Sequence, residues 1–362
     1  MNLIPAASRE YLHQIYKRTE CKEHQLLYLF LEITRLCNLT CKHCGSDCNA
    51  GTEFNALTTD SWLKIIEDVA CSFYPIPAIV LTGGEPLLHP EFRKIIGKLC
   101  EMNFRWGIVS NGYELDDSTL ETMLSQHIHS ITISLDGKDK SHNWLRGKQD
   151  SYGKAIQAIY AISKSKIPQR DVVTCVTPRN IEELDDISQV LIENGVCAWR
   201  LFRIFPAGRA KRKKELHLSI QETRQMIDWI IERKDGLKRN GLDLNLSCEG
   251  WLPFAIDLKV RNQPFFCRAG INIASILCDG TITGCSNNSE QFFEGNILNE
   301  NLAYKWKNGF QSFREKKWVQ RSDCRKCTDL KKCQGSSIHL WRDNLKTPEF
   351  CYMDCFKRIE NQ

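Results

Sequence analysis

From Leu27 to Lys234, short runs of β-branched and aromatic residues alternate six times with longer segments of helical period, and this alternation limits the fold more than any other feature. The strand candidates are Leu27 to Ile33, Ala78 to Thr82, Arg105 to Ser110, Ser130 to Leu135, Val172 to Val176 and Trp199 to Arg203. Helices are expected from near Thr59, Pro90, Asp117, Tyr152, Ile181 and Ser219, several opened by Thr, Asp or Ser as caps or by Pro in the first turn. Six such units predict an α/β fold with a parallel sheet and right-handed crossovers, barrel-like or doubly wound. After about Asn240 the helical period fades, and cysteines crowd between Cys248 and Cys355 among Gly, Asn and Lys. The expected division is residues 1–240 as the βα unit and 241–362 as a smaller, metal-stapled domain. Within the second, Asp279-Gly280 between the short β-prone flanks of ILCDGTITGC predicts a hairpin.

Eighteen cysteines among 362 residues are too many and too grouped for a scatter of buried thiols. Met1 to Arg18 carries Arg9, Glu10, Lys17 and Arg18 without a continuous apolar core, and no later apolar run approaches about 18 residues. The expectation is therefore a cytoplasmic protein with no signal peptide and no membrane span, in a reducing compartment where metal or iron–sulfur ligation outranks a disulfide framework. The formal net charge of +5 is too slight at this length to indicate nucleic acid.

The sharpest local signal is Cys37, Cys41 and Cys44 in RLCNLTCKHC, just beyond the first strand candidate. Three thiolates on a tight loop can hold three irons of a four-iron cubane and leave the fourth open to a chelating cofactor. The competing reading is zinc, which usually takes two pairs of ligands and fits a lone C-x3-C-x2-C poorly.

This spacing resembles the signature of the radical S-adenosylmethionine (SAM) superfamily, with His43 where an aromatic Tyr or Phe is common. The resemblance, over roughly residues 27 to 235, implies a partial (β/α)6 barrel like part of a TIM barrel. It also implies a [4Fe–4S] cluster whose unique iron binds SAM, and reductive cleavage of SAM to a 5′-deoxyadenosyl radical. Further motifs fall at the ends of successive strands, where a βα barrel gathers its active site. Thr82-Gly83-Gly84-Glu85-Pro86 resembles the family's GGE motif, in which glycine backbone and carboxylate meet the cofactor's ammonium. Ser110 and Asn111 in one loop, and Ser134 and Asp136 in the next, resemble positions that bind the ribose and methionine parts. Each loop alone reads more often as a plain turn; only their joint placement behind the cysteines reverses that and carries the assignment. Arg146, in HNWLRG, and Arg203 could offer a guanidinium to the cofactor carboxylate or to substrate, the alternative being an ion pair.

The later cysteines, C-x12-G-x4-C from Cys267 to Cys285 followed by Cys324-x2-Cys327-x5-Cys333 and Cys351, resemble the SPASM extension of the superfamily. That extension implies one or two auxiliary [4Fe–4S] clusters and is associated with modification of ribosomal peptides and proteins; a zinc ribbon is the rival reading. Ser337 stands where the full pattern would place another cysteine. The expected ligand sets are Cys248, Cys267 and Cys285 for the first auxiliary cluster and Cys324, Cys327, Cys333 and Cys351 for the second, with Cys355 competing for the last place. Cys48 and Cys278 are noted as cysteines near the cluster loops. The basic run Gly208 to Lys214 reads as a solvated loop and lacks the interleaved aromatics of a single-stranded RNA site.

The expected activity is a radical SAM/SPASM oxidoreductase-type enzyme acting on a peptide or protein, with a small precursor encoded nearby as candidate substrate and a flavodoxin or ferredoxin as electron donor. The motifs look most like a Bacteroidales-type group found beside small lipoprotein precursors. The rivals are a radical enzyme acting on a small molecule or RNA, and a non-catalytic iron–sulfur or zinc scaffold.

Overall fold

The computed structural model describes residues 5–48, 56–342 and 344–356. After helix α1 (Ala6–Glu23), the six expected strands form as β1 (Tyr28–Thr34), β2 (Ala78–Gly83), β3 (Trp106–Ser110), β4 (Ser130–Ser134), β5 (Gln169–Val176) and β6 (Ala198–Arg203). The helices between them are α2 (Thr59–Ser72), α3 (Phe92–Glu101), α4 (Asp117–Ser125), α5 (Asp139–Arg146), α6 (Ser151–Lys164) and α7 (Leu184–Glu193), and α8 (Ile220–Arg239) follows β6. Their starts follow local chemistry. Thr58 caps α2 by accepting from Ser61 N, Asp116 caps α4 through Thr119 N, and Ser219 with Glu222 forms a capping box on α8.

The strand period sorts side chains by face. Leu29, Leu31 and Ile33 of β1 point into the helix-covered core, joined by Trp106, Ile108, Ile131, Ile133, Trp199 and Leu201 from the neighbouring strands. Trp62, Ile65, Ile66 and Val69 of α2 close over them, each such burial contributing about 1.5–3 kcal/mol by transfer. The other face is polar: Asp171 accepts from Thr132 Oγ1 and from Arg200 Nε, both at 2.5 Å.

The parallel sheet runs past the change of texture near residue 240. A seventh strand, β7 (Asp243–Leu246), pairs in parallel with β6. The C-terminal region, entered through α9 (Phe254–Val260), returns to the far edge. β8 (Ile273–Ile276) pairs in parallel with β1, and β9 (Thr281–Thr283) and β10 (Phe293–Asn296) extend the sheet antiparallel. Among the described residues the order is β10-β9-β8-β1-β2-β3-β4-β5-β6-β7. The β8–β9 hairpin turns at Asp279-Gly280, where Gly280 takes φ +85°. This is the α/β architecture expected, a parallel-sheet partial barrel carrying a smaller cysteine-rich domain. Among the described residues no helix is long and apolar enough to cross a membrane.

Candidate active site

The cysteine loop leaves β1 and is tied down from several sides. Lys42 N donates to Leu145 O at 2.8 Å and Thr40 Oγ1 to Gly147 O at 3.2 Å, so the end of α5 lies against it. Arg209 reaches it from the basic run, with Nε donating to Cys41 O (2.7 Å) and Nη1 to Cys48 O (2.6 Å). A Cβ on Gly208 would sit 2.3 Å from Cys44 O. The first residues of Gly208 to Lys214 therefore clamp the loop and are not merely solvated. A sequence pattern gives no hint of this, because the partners are backbone carbonyls more than 160 positions away.

The loops after β2 and β3 close in beside the cysteines. Gly83 and Gly84 let β2 end against β1: a Cβ on either would lie 2.2 Å from Thr34 O or Leu36 O, respectively. Glu85 is wholly buried, accepting from Ser110 Oγ (2.9 Å), Asn111 N (2.8 Å) and Leu87 N (3.3 Å). Burial pushes its carboxyl up to about 7 against the pull of those donors. Ser134 is buried at the end of β4.

Beyond β4, Asp136 forms an ion pair with Arg146 (Nη2 to Oδ2, 2.6 Å) and lies 3.7 Å from His43 Nε2. Burial would raise the Asp136 carboxyl, but Arg146 overrides it and the carboxyl lies below its ordinary value. Burial takes His43 down to about 4, so it is neutral at pH 7. Behind this pair stand groups to which the motif reading gave no role: Cys175 N donates to Asp136 Oδ1 (2.7 Å), Asp136 N donates to His142 Nδ1 (3.0 Å), and Asn180 Nδ2 donates to Asp136 O (2.9 Å). His142 opens the HNWLRG segment, but its contact, like those of Cys175 and Asn180, belongs to the tertiary fold. Arg203 lies elsewhere, its guanidinium 3.6 Å from the Phe350 ring centroid and donating to Leu218 O, a staple between β6 and the C-terminal region.

Each sulfur of the loop accepts a nitrogen donor: Cys37 from Asn111 Nδ2 (3.9 Å), Cys41 from Arg146 Nη1 (3.8 Å) and Cys44 from Cys48 N (3.5 Å). Among the described residues no three cysteine sulfurs all lie within 4.8 Å of one another, the one such ligand group being His43, Asp136 and Cys175. Donors facing each sulfur suit thiolates, whose negative charge they stabilise. His43 Nδ1 and Arg146 Nε are buried without a hydrogen-bond partner, which leaves polar capacity for a ligand beside the loop.

In the C-terminal region Cys248 and Cys267 lie close enough to Cys285 to act on its thiol. Burial, reinforced by the other two, pushes Cys285 up to about 12. Cys324, Cys327, Cys333 and Cys351 form a second group; burial and then Cys351 push Cys333 up to about 12, and Cys351 and Cys327 add to the rise at Cys324. Cys355 neighbours Cys351, but its thiol is raised first by burial. Ser337 is fully buried and donates to Cys248 O at 3.0 Å, so the residue lacking a thiol lies against the loop that carries Cys248.

The radical SAM superfamily model matches residues 31–191, and the SPASM model, an iron–sulfur cluster-binding domain, matches residues 267–328. The chain is a radical SAM enzyme with a SPASM domain. As such it uses a [4Fe–4S] cluster and SAM in the first domain and auxiliary iron–sulfur clusters in the second. It is 24% identical over 340 residues to the AdoMet-dependent heme synthase of Methanosarcina barkeri, covering 88% of this chain and 94% of that protein. It is 26% identical over 278 residues to the sporulation killing factor maturation protein SkfB of Bacillus subtilis, covering 75% and 63%. In fold the radical SAM/SPASM chain resembles Streptococcus suis SuiB bound to S-adenosylmethionine, with TM-score 0.68 at 17% identity over 95% of this chain and 84% of that one.

Proposed function

We propose that the enzyme uses SAM-derived radical chemistry to abstract hydrogen from a peptide or protein substrate, in the cytoplasm and with a small iron–sulfur or flavin protein as electron donor. The observation that carries the reading is a nitrogen donor on each sulfur of the loop: Asn111, beyond β3, on Cys37, Arg146, at the end of α5, on Cys41, and the Cys48 amide on Cys44. When bound, the cluster and SAM supply one-electron cleavage of the sulfonium C–S bond and a carbon radical. This chain's part is to hold and orient. Cys37, Cys41 and Cys44 ligate three irons. Gly83 and Gly84, with Ser110, Asn111, Ser134, Asp136, Arg146 and His43, line the cofactor's bed, and Glu85 fixes the β2 and β3 loops to each other. Cys248, Cys267 and Cys285 hold the first auxiliary cluster, and Cys324, Cys327, Cys333 and Cys351 the second.

A peptide substrate is supported by SkfB, a killing-factor maturation protein, and by SuiB, which is also known bound to its precursor peptide SuiA. The heme synthase relative, matched over nearly its whole length, favours a second reading in which the substrate is a small molecule such as a tetrapyrrole. Anaerobic reconstitution followed by dithionite and SAM should release 5′-deoxyadenosine. Mass spectrometry of candidate precursor peptides then decides between the readings. Loss of two hydrogens, or uptake of one solvent deuterium, in a peptide supports the first, and turnover confined to an iron porphyrin supports the second.

A further inference from the structure

We propose that Arg146, held by Asp136, sets the reduction potential of the N-terminal cluster through the sulfur of Cys41. This rests on the reading of Cys37, Cys41 and Cys44 as cluster ligands and gives Arg146 a role apart from the cofactor's carboxylate. The donors on the three sulfurs are unequal. A side-chain amide donates to Cys37, a backbone amide and the Cys48 thiol meet Cys44, which also feels the charge of Arg209, and the Arg146 guanidinium donates its hydrogen bond directly to Cys41.

The fold holds that charge in place. Arg146 is the last residue of α5, and Gly147 ends the helix in the left-handed region at φ +72°. A Cβ on Gly147 would lie 2.4 Å from Thr40 Oγ1, so the helix end sits directly on the cysteine loop. The Lys42 to Leu145 hydrogen bond fixes the register between them. These contacts place the base of the side chain beside the loop, and burial together with the Asp136 ion pair keeps the guanidinium turned toward Cys41. Asp136 grips Nη2 at 2.6 Å while Nη1 faces the sulfur, and Asp136 is itself anchored by Cys175 N. The pair is neutral overall but oriented, with its positive end against the ligand sulfur and its negative end behind. Arg146 is 8% exposed and Asp136 not at all, so water screens this arrangement little.

Adding an electron makes the cluster and its thiolates more negative. A cationic donor on a ligand sulfur stabilises that state and raises the potential; a carboxylate left without its partner lowers it. The two residues should thus act with opposite sign, which a packing role would not produce.

The test is a potentiometric titration of the anaerobically reconstituted full chain, following the N-terminal cluster by electron paramagnetic resonance. Its signal is recognised by its change on adding SAM. One electron passes from dithionite to the oxidised cluster, with no bond made or broken. Arg146→Gln should lower the midpoint and Asp136→Asn should raise it. Each shift should change the reduction equilibrium at least tenfold, about 59 mV for a one-electron couple. Arg146→Lys, which keeps the charge but loses the fork, should fall between wild type and Gln, and it keeps the sign readable if the Gln variant fails to fold. Midpoints that move together, or that do not move while the cluster is present, overturn the proposal. If Cys41→Ala retains the SAM-responsive signal, the ligand reading itself fails and the proposal falls with it.

Discussion

Cys37, Cys41 and Cys44 stand on a single stretch of eight residues at the end of β1, whereas Cys248, Cys267 and Cys285 reach one another from three segments spread over 38. The first group is held by backbone and side-chain hydrogen bonds from the surrounding strand ends and from α5. The second is assembled from the ends of different strands, Cys248 two residues beyond β7 and Cys285 two beyond β9, with Cys267 in the segment before β8. The difference separates a site written in one short stretch of sequence from one that exists only once distant segments have folded together.

The largest effect expected from that contrast concerns cleavage. Cys41→Ala should abolish release of 5′-deoxyadenosine and remove about four irons per chain. Cys285→Ala should remove a different set of irons and leave reductive cleavage of SAM in place, as chromatography of the small-molecule products would show.

A second comparison uses two glycines. Alanine at Gly84 would meet the carbonyl of Leu36, backbone that cannot yield, and should cost about 4 kcal/mol. Alanine at Gly250 would meet the edge of the buried Tyr352 ring at 2.4 Å, a side chain and not backbone, and should cost roughly 2 kcal/mol. Denaturant unfolding of the two variants tests whether the N-terminal site is the more rigid.

What could be read in the chain follows the same line. All six strands and the motif loops behind them were legible because each is written within a few residues: an alternation, a cap, a Gly-Gly after a strand. Helix α1 was not. Its Tyr11 and Leu12 are 67% and 52% exposed, and its anchors are His13 to Phe265 O, Lys17 to Lys332 O and the Glu10 to Lys332 ion pair. Those partners lie some 250 to 320 positions away, so no local periodicity betrays the helix. Strand β7 has only four residues, too few for an alternation to stand out. The pairing of Cys248 with Cys267 and Cys285 could be suggested from the missing thiol at Ser337, but the contact between Ser337 and the Cys248 loop belongs to the fold.

A smaller effect is expected from pH. Glu85 carries a carboxyl raised from 4.5 to about 7, so between those values the folded chain keeps a proton that the unfolded chain has released. Its share of stability is present below about pH 4.5, falls as pH rises through 7, and amounts to roughly 3 kcal/mol over the window. Glu249, beside Cys248, is shifted to the same value by burial. Melting temperatures at pH 5 and pH 8 should differ less in Glu85→Gln than in wild type. If Glu249→Gln alone flattens the curve, the pH response belongs to the C-terminal site.

The smallest effect is at Ser337. Replacing it with alanine should cost about 1 kcal/mol, the loss of its hydrogen bond to Cys248 O, with the iron content unchanged. A loss of iron would show that the hydroxyl holds metal.

The pairing of β8 with β1 also bears on how the protein is made. One flank of β1 finds β2 within about 50 residues of synthesis, but the other stays bare until Ile273–Ile276 has emerged, some 240 residues later. For that whole interval the strand leading into the radical site presents unpaired amides and carbonyls, the kind of edge on which chains join wrongly. A ribosome stalled before β8 would release a half-finished barrel with a sticky seam, so assembly of the catalytic domain waits on the arrival of its cluster-bearing appendage.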